Sequence, residues 1–147
     1  MEHEYLDIIT KLYKKTQIKK FQIQNDNQDY YACEFMIGNK NICFRKGKLT
    51  PAKLGHFVSL WKRVDNNNKS YDTNDKYDVY IFYVEDKEHK GYFSFTKDIL
   101  LQHKILSDKK NNIDGKLGFR LYASWYDAMN NTAKISQKWQ IQNFIKI

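Results

Sequence analysis

Four short runs rich in aromatic and β-branched residues fall into two neighbouring pairs, and they confine this chain to a sheet built from hairpins. Tyr30 to Ile37 and Asn41 to Lys46 meet at Gly38-Asn39, a turn dipeptide. Asp78 to Val84 and Gly91 to Thr96 meet through an acidic turn. Pairing Ile37 with Lys40 sets Phe35 opposite Ile42 and Cys33 opposite Phe44 on one side, with Glu34, Cys43 and Arg45 on the other. The two cysteines then point to opposite faces and form no disulfide with each other.

Helices are expected at four further places. Tyr5, Ile8, Ile9, Leu12 and Tyr13 form an amphipathic stripe over Glu4 to Lys15. Thr50-Pro51 reads as an N-cap followed by proline at the first helical position, with Leu54, Phe57, Val58, Trp61 and Val64 as the core-facing stripe of a helix over 50–64. Thr132 to Ile145 closes the chain as a helix, and Asp98 caps a short one reaching Leu106. Residues 24–29, 65–76 and 107–116 read as polar loops, and Gly118 to Tyr122 as one more strand. The expected order is α-β-β-α-β-β-α-β-α. This is an α/β (α+β) domain with a mixed, mostly antiparallel sheet flanked by helices. Its 147 residues make one domain, 1–147, able to bury an ordinary core without metal or disulfide staples.

Aromatic residues make up 16% of the chain, too many for a disordered one. No stretch of about 18 apolar residues exists, so no membrane partner is expected. The opening Met-Glu-His-Glu-Tyr is acidic and lacks an apolar run, and there are only two cysteines, so the expected compartment is the cytoplasm. The net charge is +8, yet only Arg45, Arg63 and Arg120 are arginine, and 13 residues are asparagine. That usage points to A/T-rich codons, so the lysine total by itself says little.

The placement of the charge says more. Residues 35–64 hold seven basic side chains (Lys40, Arg45, Lys46, Lys48, Lys53, Lys62, Arg63) and no carboxylate, while 65–98 is net acidic and the remainder after 99 is basic. Such a run is either a solvated face or a phosphate-binding surface.

The same window carries a resemblance. Lys48-Leu-Thr50-Pro51-Ala-Lys53-Leu-Gly55-His-Phe57-Val58-Ser-Leu60-Trp61-Lys62-Arg63 resembles the central signature of the MepB family, named for a gene cluster of multidrug export. Gly91-Tyr-Phe93-Ser-Phe95-Thr-Lys97, Gly115-Lys116-Leu-Gly118-Phe-Arg120-Leu-Tyr122 and Gln137-Lys138-Trp139-Gln140 follow in the family's order. The chain departs from the pattern at His56, where Gln is usual, at Thr96, where Pro is common, and at Ala123-Ser124, where two prolines are usual. The resemblance implies a small cytoplasmic protein, similar in outline to restriction-endonuclease-like folds, and brings no reaction or catalytic residue with it. A fold outline does not assign a function.

A nuclease of that outline needs an Asp on one strand, then an acid followed two residues later by Lys on the next, to hold Mg²⁺ and stabilise the attacking water. Asp78 and Lys97 match the outer members, but Phe95 stands where the acid belongs. Phe44 likewise precedes Lys46, and Glu85-Asp86-Lys87 sits in a turn. The four histidines share no metal-ligand spacing, and no glycine-rich phosphate loop opens a helix. No catalytic residue, metal or cofactor is therefore assigned.

The expected partner is nucleic acid, DNA before RNA, held without catalysis by Arg45, Lys46, Lys48, Lys53, Arg63 and Arg120, with Lys134 and Lys138 extending the patch. Trp125 and Tyr126 are placed for stacking on a base or for core packing. A Mg²⁺-dependent nuclease using Asp78 and Lys97, and a regulatory module for an acidic protein, are the alternatives. Oligomeric state is left open.

Overall fold

A computed structural model describes residues 1–127 and 130–147. The chain forms two sheets and a small hairpin. Six strands make the larger sheet in the order β1 (Ile18–Ile23), β2 (Cys33–Ile37), β3 (Lys40–Lys46), β8 (Val79–Asp86), β9 (His89–Thr96) and β11 (Phe144–Lys146). The smaller sheet runs β10 (Gly118–Leu121), β5 (Lys53–Ser59), β4 (Lys48–Thr50), and β6 (Trp61–Val64) pairs with β7 (Asn67–Ser70). All pairings are antiparallel except β3 with β8. The mixed, mostly antiparallel α+β class expected from sequence holds.

Alternation places the core. Phe35, Ile42, Phe44, Ile81 and Tyr83 point to one face of the large sheet, where Tyr5, Ile8 and Ile9 of α1 (Glu2–Ile9) cover them. Cys43, Tyr80, Phe82, Val84, Phe93 and Phe95 point to the other, against Val58, Leu60, Phe119 and Leu121 of the smaller sheet region. The hairpin register holds as expected: Ile37 pairs with Lys40, Phe35 with Ile42 and Cys33 with Phe44. Both cysteines are free, buried and on opposite faces.

The helix expected over 50–64 is absent. Those residues are β4, a tight turn, β5 and β6. Leu54 and Val64, two members of the supposed core stripe, are 42% and 37% exposed, whereas His56, Val58 and Leu60 are all 0% exposed. The operative period is two, not 3.6. Gly55 explains why: its φ is +88°, and a β-carbon there would lie 2.7 Å from the Leu121 carbonyl oxygen. Glycine is a poor helix former and the residue of choice for such a backbone. Pro51 sits in the turn joining β4 to β5, where it needs no donor.

Other boundaries move for similar reasons. The first helix stops at Ile9, where the Thr10 hydroxyl donates back to the Leu6 carbonyl at 2.7 Å. The supposed loop at 65–76 contains β7, reached through Asp65 and Asn66, both at positive φ, the geometry of a two-residue hairpin turn. Thr96, not Asp98, caps α2 (Lys97–Gln102), which ends short of Leu106. The closing helix α3 (Asn131–Gln140) gives way to β11, which adds to the edge of β9. Strand β1 has no counterpart in the sequence reading.

Helix α3 is fastened through two glutamines. Gln140 accepts from the Tyr122 amide at 2.8 Å and donates to the Arg120 carbonyl at 2.9 Å, so one side chain caps the open edge of β10. Gln137 donates to the carbonyls of Ala123 and Tyr126.

Candidate nucleic-acid interface

The acid-free window runs from β2 and β3 of the large sheet through β4 and β5 of the smaller one to β6, and its cations meet different fates. Arg45 belongs to the interior: it is 0% exposed. Its Nε donates to Asn27 Oδ1 at 3.3 Å, its Nη1 to Gln24 Oε1 at 2.5 Å and the Phe44 carbonyl at 2.8 Å, and its Nη2 to Tyr71 OH at 3.1 Å. Gln24 passes the connection on, donating to Tyr77 OH, which donates to Glu34. Burial opposes ionisation of Glu34, but hydrogen bonds from Lys76 and Tyr77 outweigh it and hold the carboxyl below its ordinary range. Arg45 is thus a buried guanidinium wired to a carboxylate through neutral side chains. It is not a nucleic-acid contact, contrary to the sequence expectation.

Lys46 is half-buried and paired with Glu85 at 2.9 Å, so its charge is largely neutralised. Lys62 is likewise taken by Asp75 at 2.8 Å. Arg63 is exposed, its guanidinium 5.9 Å from the Trp61 ring. Lys53 is exposed beside the β4–β5 turn and opens a strand rather than a helix, so no helix terminus adds to it. Lys134 and Lys138 are exposed one turn apart on α3.

The smaller sheet sets Phe57, which the sequence reading gave to a helix core, between Lys48 and Arg120, which that reading assigned to one patch. In its register Lys48 lies opposite Phe57, and Phe57 lies opposite Arg120, so the three side chains stand in a row across β4, β5 and β10 on one face. That face is the outer one, because His56 and Val58 point inward. Tyr30 leans onto the row, its ring 6.3 Å from that of Phe57 and 4.8 Å from the Lys48 ammonium. Both aromatic rings are half-buried. Sequence reasoning missed Phe57 and Tyr30 because it gave the first to a helix and the second to a strand. The period-two burial of His56, Val58 and Leu60 is the signal that puts Phe57 outside.

Arg120 is fixed in place. Its Nε donates to the Leu54 carbonyl at 3.2 Å, and its Nη2 to Thr50 Oγ1 at 2.7 Å and to the carbonyls of Lys53 and Gly55 at 3.3 Å each. These acceptors are neutral, so the guanidinium keeps its charge while losing its freedom.

Behind the face lies a buried polar chain. Tyr126 OH donates to Asp86 at 3.0 Å and meets His56 Nε2 at 2.9 Å. With that proton committed to Asp86, His56 carries its own on Nε2 and leaves Nδ1 without a partner among the described residues. Burial pushes the His56 pKa down to about 4, against the pull of Asp86. Trp125 packs at the margin of the core, stacked on His89 at 5.1 Å and edge-on to Phe144 at 5.5 Å.

The residues considered for metal-dependent cleavage have other duties. Asp78 accepts from the Asn41 amide at 2.8 Å and fixes the start of the parallel pairing, while Lys97 donates to the carbonyls of Thr73 and Asp75. Among the described residues no group of three His, Cys, Asp or Glu side chains is placed to share a metal ion. No helix among them is long and apolar enough to cross a membrane.

The architecture is that of a two-sheet α+β protein whose smaller sheet carries Lys48, Phe57 and Arg120 in a row on its outer face. The MepB-like family model matches residues 24–146, and the chain belongs to that family. A solved crystal structure of MepB is similar to it over 99% of this chain and 97% of that one, at 30% sequence identity and a TM-score of 0.87. No curated protein matches the chain.

Proposed function

We propose that this protein binds nucleic acid, without cleaving it, through the outer face of its smaller sheet. The observation that carries the reading is the row Lys48–Phe57–Arg120, with Tyr30 against its first two members. Cations flanking half-exposed aromatic rings suit a phosphate backbone with bases laid against the rings. Lys53, exposed at the turn beside this row, adds a further charge. Arg63, Lys134 and Lys138 are exposed outliers that contribute long-range attraction, and Lys46 adds little because Glu85 holds it.

Fluorescence anisotropy with labelled DNA, as duplex and as single strand, over a salt series tests this. Affinity should fall steeply with salt, by about 0.9 in the log–log slope for each duplex phosphate neutralised and about 0.7 for each single-strand one. Lys48→Glu with Lys53→Glu should weaken binding by at least about tenfold, and Phe57→Ala should weaken the single strand more than the duplex. A flat salt response, or unchanged binding by the double variant, removes the proposal.

A further inference from the structure

Among the surface hollows formed by the described residues, five with volumes between about 210 and 420 Å³ divide by charge. Three contain carboxylates: Asp72 with Asp108, Glu34, and Asp72 with Asp114. The other two contain none. One, of about 420 Å³, is lined by Lys53, Leu54, Arg120, Tyr122, Asn130 and Thr132 among others. The second, of about 340 Å³, is lined by His103, Lys116, Arg120, Tyr122, Ser136 and Trp139 among others. They share Arg120 and Tyr122 as lining residues, so Arg120 borders two adjoining acid-free hollows, with Lys53 in the lining of one and Lys116 in that of the other.

Arg120 differs from the other well-fixed cations. Lys46, Lys62 and Lys76 are each held by a carboxylate, from Glu85, Asp75 and Glu34, so their charges are matched within the protein. Arg120 is held by three carbonyls and a hydroxyl, and its Nη1 makes no hydrogen bond among the described residues. A guanidinium already immobilised loses little entropy on binding an anion, and its open N–H groups match the oxygens of a phosphate.

From this geometry we infer that the paired hollows around Arg120 bind a phosphate monoester, supplied either by the phosphorylated end of a nucleic-acid strand or by a free mononucleotide. A monoester carries close to two negative charges and three unshared oxygens, enough for Arg120 together with Lys53 or Lys116. A backbone diester has one charge and a sugar on each side, so it suits the open row on the sheet better than a recess. Thr132 and Ser136 supply hydroxyl donors along the walls. The inference deepens the nucleic-acid reading, because Arg120 belongs both to the open row and to the recess.

The experiment compares one short DNA strand in three forms, 5′-phosphorylated, 3′-phosphorylated and unphosphorylated, alongside a free mononucleotide and inorganic phosphate as separate ligands. Affinities are measured by calorimetry for the native protein and for Lys53→Gln, Lys116→Gln and Arg120→Lys, with Lys19→Gln, on exposed β1, as the control. A phosphorylated end that binds about tenfold or more tightly than the bare strand, with the advantage lost in Lys116→Gln or Lys53→Gln and kept in Lys19→Gln, supports the site with a strand end as its ligand. Stoichiometric mononucleotide binding with the same variant dependence supports it with a free nucleotide. If Arg120→Lys fails to fold, the two exposed lysines still carry the test. Equal binding of all three strand forms, with no mononucleotide binding, overturns the inference while leaving the nucleic-acid reading intact. Mononucleotide binding with no strand binding does the reverse.

Discussion

Arg45 and His56 are both fully buried, and each sets a different dependence. Arg45 supplies hydrogen bonds to Gln24, Asn27, Tyr71 and the Phe44 carbonyl, so truncating it strands several buried acceptors at once. Arg45→Met should lower unfolding free energy by about 3 kcal/mol or more, read from urea denaturation. Any folded fraction should bind DNA as the native protein does, which separates a structural role from a contact role. His56 acts through protonation. Unfolded, its imidazole takes a proton near pH 6.5; folded, burial delays this to about 4. Between those values the unfolded state binds more protons, so stability rises with pH, and the contribution is complete above 6.5 and gone by about 4. It amounts to about 3 kcal/mol. His103, lowered by burial against Trp139, adds in the same direction. His56→Gln should flatten the fall in stability between neutral pH and about 5; an unchanged slope would assign it elsewhere.

The elements rest on a few contacts between backbone and side chain. Gln140 closes the outer edge of β10 with one amide, satisfying the Tyr122 N–H and the Arg120 carbonyl. Gln140→Leu should cost about 2 kcal/mol and speed amide exchange at Tyr122, because both backbone groups lose their partner away from water. At Gly55 the backbone is left-handed and pressed against Leu121 and the Tyr122 ring. Gly55→Ala should therefore destabilise by more than about 1 kcal/mol and loosen the Arg120 anchor, whose acceptors include the Gly55 carbonyl. A thermal midpoint equal to the native value would refute this. The two hairpins of the large sheet were legible in the sequence because their alternation is strict and their turns are short. The 50–64 segment was not. Its apolar residues fit a 3.6 period as well as a period of two, and Thr-Pro serves a turn as readily as a helix start. Only Gly55 argued against the helix. Strand β1, Ile18-Lys-Lys-Phe-Gln-Ile23, was hidden for another reason: a register shift between Lys19 and Gln22 breaks the alternation of its half-buried Ile18, Phe21 and Ile23, so no regular apolar pattern marks it.

For the molecule as a whole, linear charge counting marked a stretch of chain whose cations the fold then separates. The window 35–64 does feed the outer face, through Lys48 and Lys53, yet Arg45 turns inward and Lys46 and Lys62 are matched by acids from 65–98. Glu85 lies 39 residues from Lys46, and Asp75, 13 residues from Lys62, falls outside the acid-free window, so counting within that window hides both pairings. Tyr30 and Phe57 were invisible for the same reason, since only tertiary packing sets one ring against the other. The end of the chain matters to the whole in a further way. Phe144 lies 4.6 Å from Phe93, and β11 occupies the edge of β9. Removing residues 144–147 should lower the thermal midpoint and promote concentration-dependent self-association, seen by light scattering, as the bared edge seeks another strand.

The parallel pairing of β3 with β8 also governs how the chain reaches its fold. Strands β3 and β8 lie side by side at the centre of the large sheet, although Asn41 and Asp78, which begin their alignment, are 37 residues apart. Two of the three strands that bear the proposed face, β4 and β5, lie in the crossover between β3 and β8. The hairpins β2–β3 and β8–β9 are local and can zip early, but they can join only after that crossover has closed. The docking of the two hairpins is therefore the step that carries the largest loop-closure cost. A ligand that orders the crossover acts on the same segment whose closure that step awaits.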